Sequence, residues 1–273
     1  MFQNRKEGLA LALPAAVFTV VLFLLPVGIL LSEAFKVDGL WSIQGYFDFA
    51  AKPLNQTVFL RTLKLGFLVA LVSAIIGYAC AFCIVNLDGK HRGRVFGLIV
   101  LPLMISPVAR TYAWIVILGR TGIVNDTIIG LGLSETPIRI LFTETAVFIG
   151  LLQLFLPLMI ISLVSAMENL PSDVIPAARV LGASWFQVFT KIILPLTKDG
   201  LVIGGTLVFT GSLTAYITPA ILGGSKVLML ETLLYQRVNV ANDFVSAGII
   251  ATILIVMSFG ANLLLKRIAT ARA

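Results

Sequence analysis

Charge is scarce in this chain. Only 12% of its 273 residues are Asp, Glu, Lys or Arg, while 59% are hydrophobic and the mean hydropathy is +1.03. A soluble globule of this length has no way to hide so much apolar surface, so the composition is that of an integral membrane protein. Histidine occurs once, at His91, with no nearby ligand set, which argues against a metal centre. The two cysteines, Cys80 and Cys83, form a C-x-x-C inside an apolar run with no electropositive neighbours to make a reactive thiolate, and read as small packing residues. No G-x-x-x-x-G-K-[ST] occurs: the Gly89-Lys90 pair lacks both the earlier Gly and the following Ser or Thr, so the chain has no P-loop with which to hydrolyse ATP. The apolar runs lack the alternation of barrel strands, and no internal repeat marks the two halves of a secondary transporter.

What is present is a set of long apolar runs. A bilayer core about 30 Å thick needs about 20 helical residues. Runs 9–31, 65–85, 95–118, 145–166, 201–222 and 244–265 meet that length, and Arg110 is the one charge inside them. The expectation is an all-α membrane protein with six transmembrane helices. The first run is longer than a signal-peptide core and no A-x-A site follows it, so it reads as a retained span. With the amino terminus inside, the inner segments carry a net charge of +6 and the outer segments 0. That bias sets orientation and explains the basic isoelectric point without nucleic acid. Lys90, His91, Arg92 and Arg94 in the first inner loop belong to the same signal.

The inner segment 167–200 interrupts this pattern. Asp173 or Ser172 can cap a helix over 174–181, with Pro176 in its first turn, where the missing N–H has no intrahelical acceptor. Gly182 suits the left-handed position that ends such a helix. Ser184 and Gln187 then form a capping-box pattern for a second helix over 185–193, which Pro195 is expected to stop. Trp185, Phe186, Val188, Phe189, Ile192 and Ile193 expose more apolar surface than a solvated loop carries. The cover is either the lipid interface or a protein groove. The polar face holds only Gln187, Thr190 and Lys191, which favours protein.

The stretch PAARVLGASWFQVFTKIILP resembles the cytoplasmic signature E-A-A-x3-G-x9-I-x-L-P of the membrane permeases of ATP-binding-cassette (ABC) importers. Ala177, Ala178, Gly182, Ile192, Leu194 and Pro195 stand at the matching spacing, with Ala183 and Trp185 between them, and Pro176 stands where the family has Glu. The resemblance extends through LPLMISPVARTYAWIVILGRTGIVNDTIIGLGL and YITPAILGG, and points to the spermidine/putrescine subgroup. Permeases for iron(III), aminophosphonates, opines and other amines share many of these motifs. It implies the type I ABC importer permease fold, with residues 1–273 as one transmembrane permease domain and the short inner helices as coupling helices. It further implies a non-catalytic subunit with no cofactor of its own, a second homologous permease and two ATPase subunits that use ATP and Mg. An external substrate-binding protein would deliver the solute, in a bacterial inner membrane with both termini cytoplasmic.

Polar residues inside the runs are the candidates for the solute path, since they are costly unless they face protein or water. Arg110 can line the path or face a partner, or extend outward, being about eight residues from the outer end of its run. Gln153 lies in the fourth run. Thr206, Thr210, Thr214 and Thr218 share one face of a continuous fifth helix, joined by Ser212 and Tyr216; they line a pore or bond back to the helix. Tyr112 and Trp114 touch solute or anchor the interface. Gly200, Gly204, Gly205 and Gly211 allow close helix contact, consistent with a subunit interface. No acidic residue lies inside any run, so a cationic solute would be recognised mainly by the external protein.

Overall fold

A computed structural model describes residues 13–37, 40–171 and 173–270. Ser172, one of the two expected caps, lies outside them, as do the first four residues of the 9–31 run. The described residues fall into two compact units, one drawn from Met1–Thr57 and Leu233–Ile255, the other from Val58–Thr232 and Val256–Ala273. Four helices are long and apolar enough to cross a membrane, and six spans result if each of two sharply bent helix pairs counts as one.

In the first unit, helix α1 runs Leu13–Glu33 and contains a π-turn at Val20–Leu24, where the Leu25 N–H reaches back five residues to the Val20 carbonyl. Pro26 follows immediately. A proline ring clashes with the carbonyl four residues earlier, and the widened turn accommodates it without ending the helix. After α1, a short antiparallel pair joins Lys36–Val37 to Leu40–Trp41. Helix α2, Gln44–Ala51, follows and sends the Tyr46 hydroxyl 3.1 Å to Thr252. Thr252 lies on the last helix, whose start is capped by Asp243, the acceptor for the Ser246 N–H at 3.0 Å. Burial pushes the Asp243 carboxyl up, but the Ser246 hydrogen bonds and the charges of Arg237 and Lys52 outweigh it and hold it below the ordinary aspartate range.

Helix α3, Pro53–Val85, is 33 residues and so about 50 Å long, well beyond the 65–85 run. An ion cluster fixes its first half. Glu144 accepts from Arg61 Nε at 2.9 Å and from Lys64 Nζ at 2.6 Å, while Arg61 Nη1 also donates to the Leu228 carbonyl at 3.1 Å. Thr62 accepts the Leu230 N–H at 2.9 Å, tying the same stretch to the start of a later helix.

The third run is not one helix, contrary to expectation. Helix α4, Gly89–Val100, tightens into a 3-10 turn at Leu101–Met104, and α5, Pro107–Leu118, sets off after a 96° bend. The cause is local: Pro107 needs an extended residue before it, and Ile105 and Ser106 have ψ of 137° and 131°. Helix α6, Ile123–Gly130, is held by the buried Asn125, which donates to the carbonyls of Gly119 and Ile138 and accepts from the Ile138 N–H at 2.8 Å. Helix α7, Glu144–Glu168, carries Pro157 in its interior.

Helices α8, Val174–Val180, and α9, Trp185–Leu196, form the inner segment, and α10, Lys198–Leu213, leaves α9 at 69°. Here the fifth run also breaks. Thr214 closes α10, and α11, Ile217–Leu222, restarts before α12, Leu230–Asn239, and α13, Phe244–Thr270. The threonine ladder therefore does not continue on one face past Thr214. Three glycines of this run, Gly200, Gly204 and Gly211, seat α10 on α7 of the same chain, whereas Gly205 has only Leu265 near it, at 4.0 Å. A Cβ on Gly204 would sit 2.7 Å from Met159 and one on Gly211 2.4 Å from Phe155, both on α7. Gly200 is the tightest case: its added Cβ would lie 2.4 Å from the Ala166 Cβ and 2.9 Å from the Ser162 carbonyl, neither of which can swing away.

Gly200→Ala should therefore force α10 off α7 and lower the stability of the detergent-solubilised chain by roughly 1–3 kcal/mol. Gly205→Ala, where the nearest atom is 4.0 Å away, should be neutral in the same thermal unfolding measurement.

Candidate functional site

The inner segment is built as two short helices around one left-handed residue. Gly182 has φ +84° and nothing within 4 Å of its missing Cβ, so backbone conformation alone selects glycine there. Its N–H bonds the Arg179 carbonyl and the Ala183 N–H that of Ala178, closing α8. The capping box is present in both directions: Ser184 Oγ accepts the Gln187 N–H at 3.3 Å, and Gln187 Oε1 accepts the Ser184 N–H at 2.9 Å. Two expectations are corrected. Asp173 occupies the cap position of α8 but makes no side-chain cap bond. Pro195 does not stop the second helix, because a π-turn at Phe189–Ile193 precedes it as one precedes Pro26, and α9 ends only at Thr197. There the Thr197 hydroxyl donates to the Ile193 carbonyl at 2.7 Å and meets the Tyr78 hydroxyl at 3.0 Å.

The chain covers part of the apolar surface of this segment itself. Val188 and Ile193 are buried, and Ile175, Ala178, Ala183 and Leu194 pack against the core. Phe189 stands edge-on to Tyr78 at 5.6 Å and Trp185 edge-on to Phe82 at 5.9 Å, with the Arg179 guanidinium 5.2 Å from the centre of the Trp185 ring. Ile192 is half-buried, and Ala177, Gly182 and Pro195 face outward. The most exposed apolar side chains are Val180 at 88%, Leu181 at 87% and Phe186 at 77%. Val180 and Leu181 went unnoticed in the sequence, although their place beside a left-handed glycine at the tip of the segment is the signal that marks them. Behind the segment lies a cavity of about 590 Å³ lined by Phe82, Asn86, Met167 and Ile175, with the Arg92–Glu168 ion pair in its wall.

The candidate path residues divide differently. Arg110 and Tyr112 sit in the first turns of α5, just past the break at Ile105–Ser106; Tyr112 is exposed and Arg110 half-buried. Trp114 packs against the core. Thr111 and Thr218, both buried, meet at 3.3 Å and join α5 to α11, a pair whose contact no sequence spacing announces. Thr206, Thr210, Gln153 and Tyr216 are half-buried and Thr214 is exposed at the α10 terminus. The Thr214 and Ser212 hydroxyls donate back to the carbonyls of Thr210 and Val208, at 3.0 and 2.7 Å. The break at Ile105–Ser106 falls 12 residues before the end of the 95–118 run, and the one at Thr214 falls eight before the end of the 201–222 run. Cys80 is half-buried and Cys83 exposed, both as free thiols. No cluster of three or more His, Cys, Asp or Glu suited to a metal ion occurs among the described residues.

Residues 73–271 match the family described as binding-protein-dependent transport system inner membrane component. The chain is similar to the spermidine/putrescine transport system permease protein PotB of Haemophilus influenzae, with 36% identity covering 79% of this chain and 78% of that one. It is also similar to the protein of the same name in Escherichia coli K12, with 34% identity covering 75% of each. In structure it resembles a bacterial ABC transporter involved in import of the acidic polysaccharide alginate, with a TM-score of 0.79 and 18% identity over 95% of this chain and 93% of that one. The MetNI methionine ABC transporter in an inward-facing conformation gives a TM-score of 0.59 at 18% identity over 78% and 94%. At these identities the structural likeness is one of fold.

Replacing Ser184 by Ala removes one side of the capping box and should weaken the start of α9 by about 1 kcal/mol. Amide exchange should then quicken across residues 185–188 while α10 keeps its protection, and unchanged exchange would show that the box does not hold this helix.

Proposed function

The chain belongs to the binding-protein-dependent transport system inner membrane components, and from that premise we propose that it forms one half of the translocation pathway of an ATP-driven importer for a polyamine such as spermidine or putrescine. Membership makes it a multi-pass inner-membrane permease. The polyamine reading follows the similarity to the two permeases named above. The observation that carries the coupling role is the inner segment: the signature spacing coincides with a built tip, where the left-handed Gly182 is flanked by Val180, Leu181 and Phe186.

Such a tip fits a groove in a separate ATPase subunit. Ala177 and Gly182 let the partner approach closely, while Val180, Leu181 and Phe186 supply the apolar area. With Pro176 in place of Glu, that contact rests on packing rather than on a salt bridge. The complete machine would hold two ATPases, which bind ATP and Mg, a second permease of the same fold and an external substrate-binding protein. Residues 1–273 act as a single permease domain with both termini cytoplasmic. Closure of the ATPases on ATP pulls the tips, and α9 passes the motion to α3 through Trp185, Phe189 and Thr197. The path runs along the two breaks, since irregular backbone at membrane depth must be buried in protein or line a water-filled space. Tyr112, Gln153, Thr206, Thr210, Thr214 and Tyr216 are its nearest polar side chains, with Arg110 beside them.

Gly182→Asp places a charge and a strained φ at the tip. In vesicles holding the co-purified complex and loaded external protein, it should abolish ATP-driven polyamine uptake while the chain still inserts. Normal uptake by this variant would sink the coupling role, and uptake driven by an ion gradient without ATP would sink the importer reading.

A further inference from the structure

We infer that Arg110 is the pairing point for a carboxylate carried within a membrane span of the second permease subunit; this rests on the reading of the chain as half of a paired pore. The guanidinium stands where a charge is expensive. Its Nε and Nη1 atoms are shielded and have no hydrogen-bond partner among the described residues, yet the residue keeps part of its surface open. An arginine does not escape such a position by losing its proton. The start of α5 adds the partial positive charge of a helix amino terminus at the same place, so the local field calls for an anion twice over.

This chain cannot supply that anion from its own spans. None of the six apolar runs contains Asp or Glu. The ion pairs of the described residues engage Glu33, Asp88, Glu144, Glu168 and Asp243, and none involves Arg110. A polyamine cannot neutralise a guanidinium either; an unpaired positive charge beside the path would repel it. A carboxylate meets the guanidinium fork with two parallel hydrogen bonds and cancels the charge that a passing polycation would otherwise feel. A second copy of this chain also lacks an acidic residue in its spans, so the carboxylate belongs to a different subunit.

The test uses the whole complex, drawn from its host through a tag on this chain, with the membrane content of the tagged chain as the control for insertion. Arg110→Met should lower the amount of second permease recovered per tagged chain at least several-fold, with Arg110→Lys between it and the native chain. Neutralising the spanning Asp or Glu of the second subunit to Asn or Gln in the Arg110→Met background should restore recovery, which a mere folding failure would not allow. The assignment is overturned if the second permease has no acidic residue in a span, or if the two neutralisations lower recovery additively. Full recovery with Arg110→Met, even with altered uptake, also overturns it and makes Arg110 a path residue. A native chain that recovers no second permease overturns the paired-pore reading itself, whereas one that recovers only further copies of itself overturns the assignment of Arg110 alone.

Discussion

The structure is organised by the need to satisfy backbone hydrogen bonds where no water is available. A helix does this alone, and a proline past its first turn is a point where it fails. The chain answers in three ways. Before Pro26 and Pro195 it widens the ladder into a π-turn, and the helix continues. At Pro157, which removes the donor to the Gln153 carbonyl, it buries the defect inside α7. At Pro107 it gives up the helix, turning through 96°. That last choice creates the half-helix α5, places Arg110 and Tyr112 in its first turns, and brings Thr111 against Thr218 on the short α11.

The same economy shapes the inner segment. Its apolar residues are too many for a loop, but they are not all for one purpose. Val188 and Ile193 root α9 in the chain's own core, while Trp185 and Phe189 lean edge-on against Phe82 and Tyr78. The segment is thereby joined to α3 by aromatic contacts and the Tyr78–Thr197 hydrogen bond. Val180, Leu181 and Phe186 are left the most exposed apolar side chains of the segment. Small residues follow a parallel division, with Gly200, Gly204 and Gly211 seating α10 on α7 within one subunit.

Charge is spent sparingly and at the margins. Glu144 holds both Arg61 and Lys64 in the first half of α3, and Arg92 pairs with Glu168 at the C-terminal end of α7. Arg110 is the exception in depth: it is the one charge inside the apolar runs, and its Nε and Nη1 atoms are shielded without a hydrogen-bond partner among the described residues.

Much of the molecule was legible in the sequence because bilayer thickness acts on composition directly. Four of the six runs coincide with helices long and apolar enough to cross a membrane, and the left-handed Gly182 and the Ser184–Gln187 box were readable because both depend on neighbours within four residues. The breaks were harder. Pro102, Pro107 and Pro219 lay in plain view, but whether a proline kinks, widens or ends a helix depends on what packs beside it. Asp173, a good cap by type, makes no cap bond, and Pro195, a helix stop by rule, is absorbed. What the sequence determined alone was the solvent, the number of apolar runs and the local geometry of the tip. Tertiary structure decided which apolar residues remain exposed, which glycines serve internal packing and which charge is left unpaired, because each follows from contacts between residues tens to hundreds of positions apart.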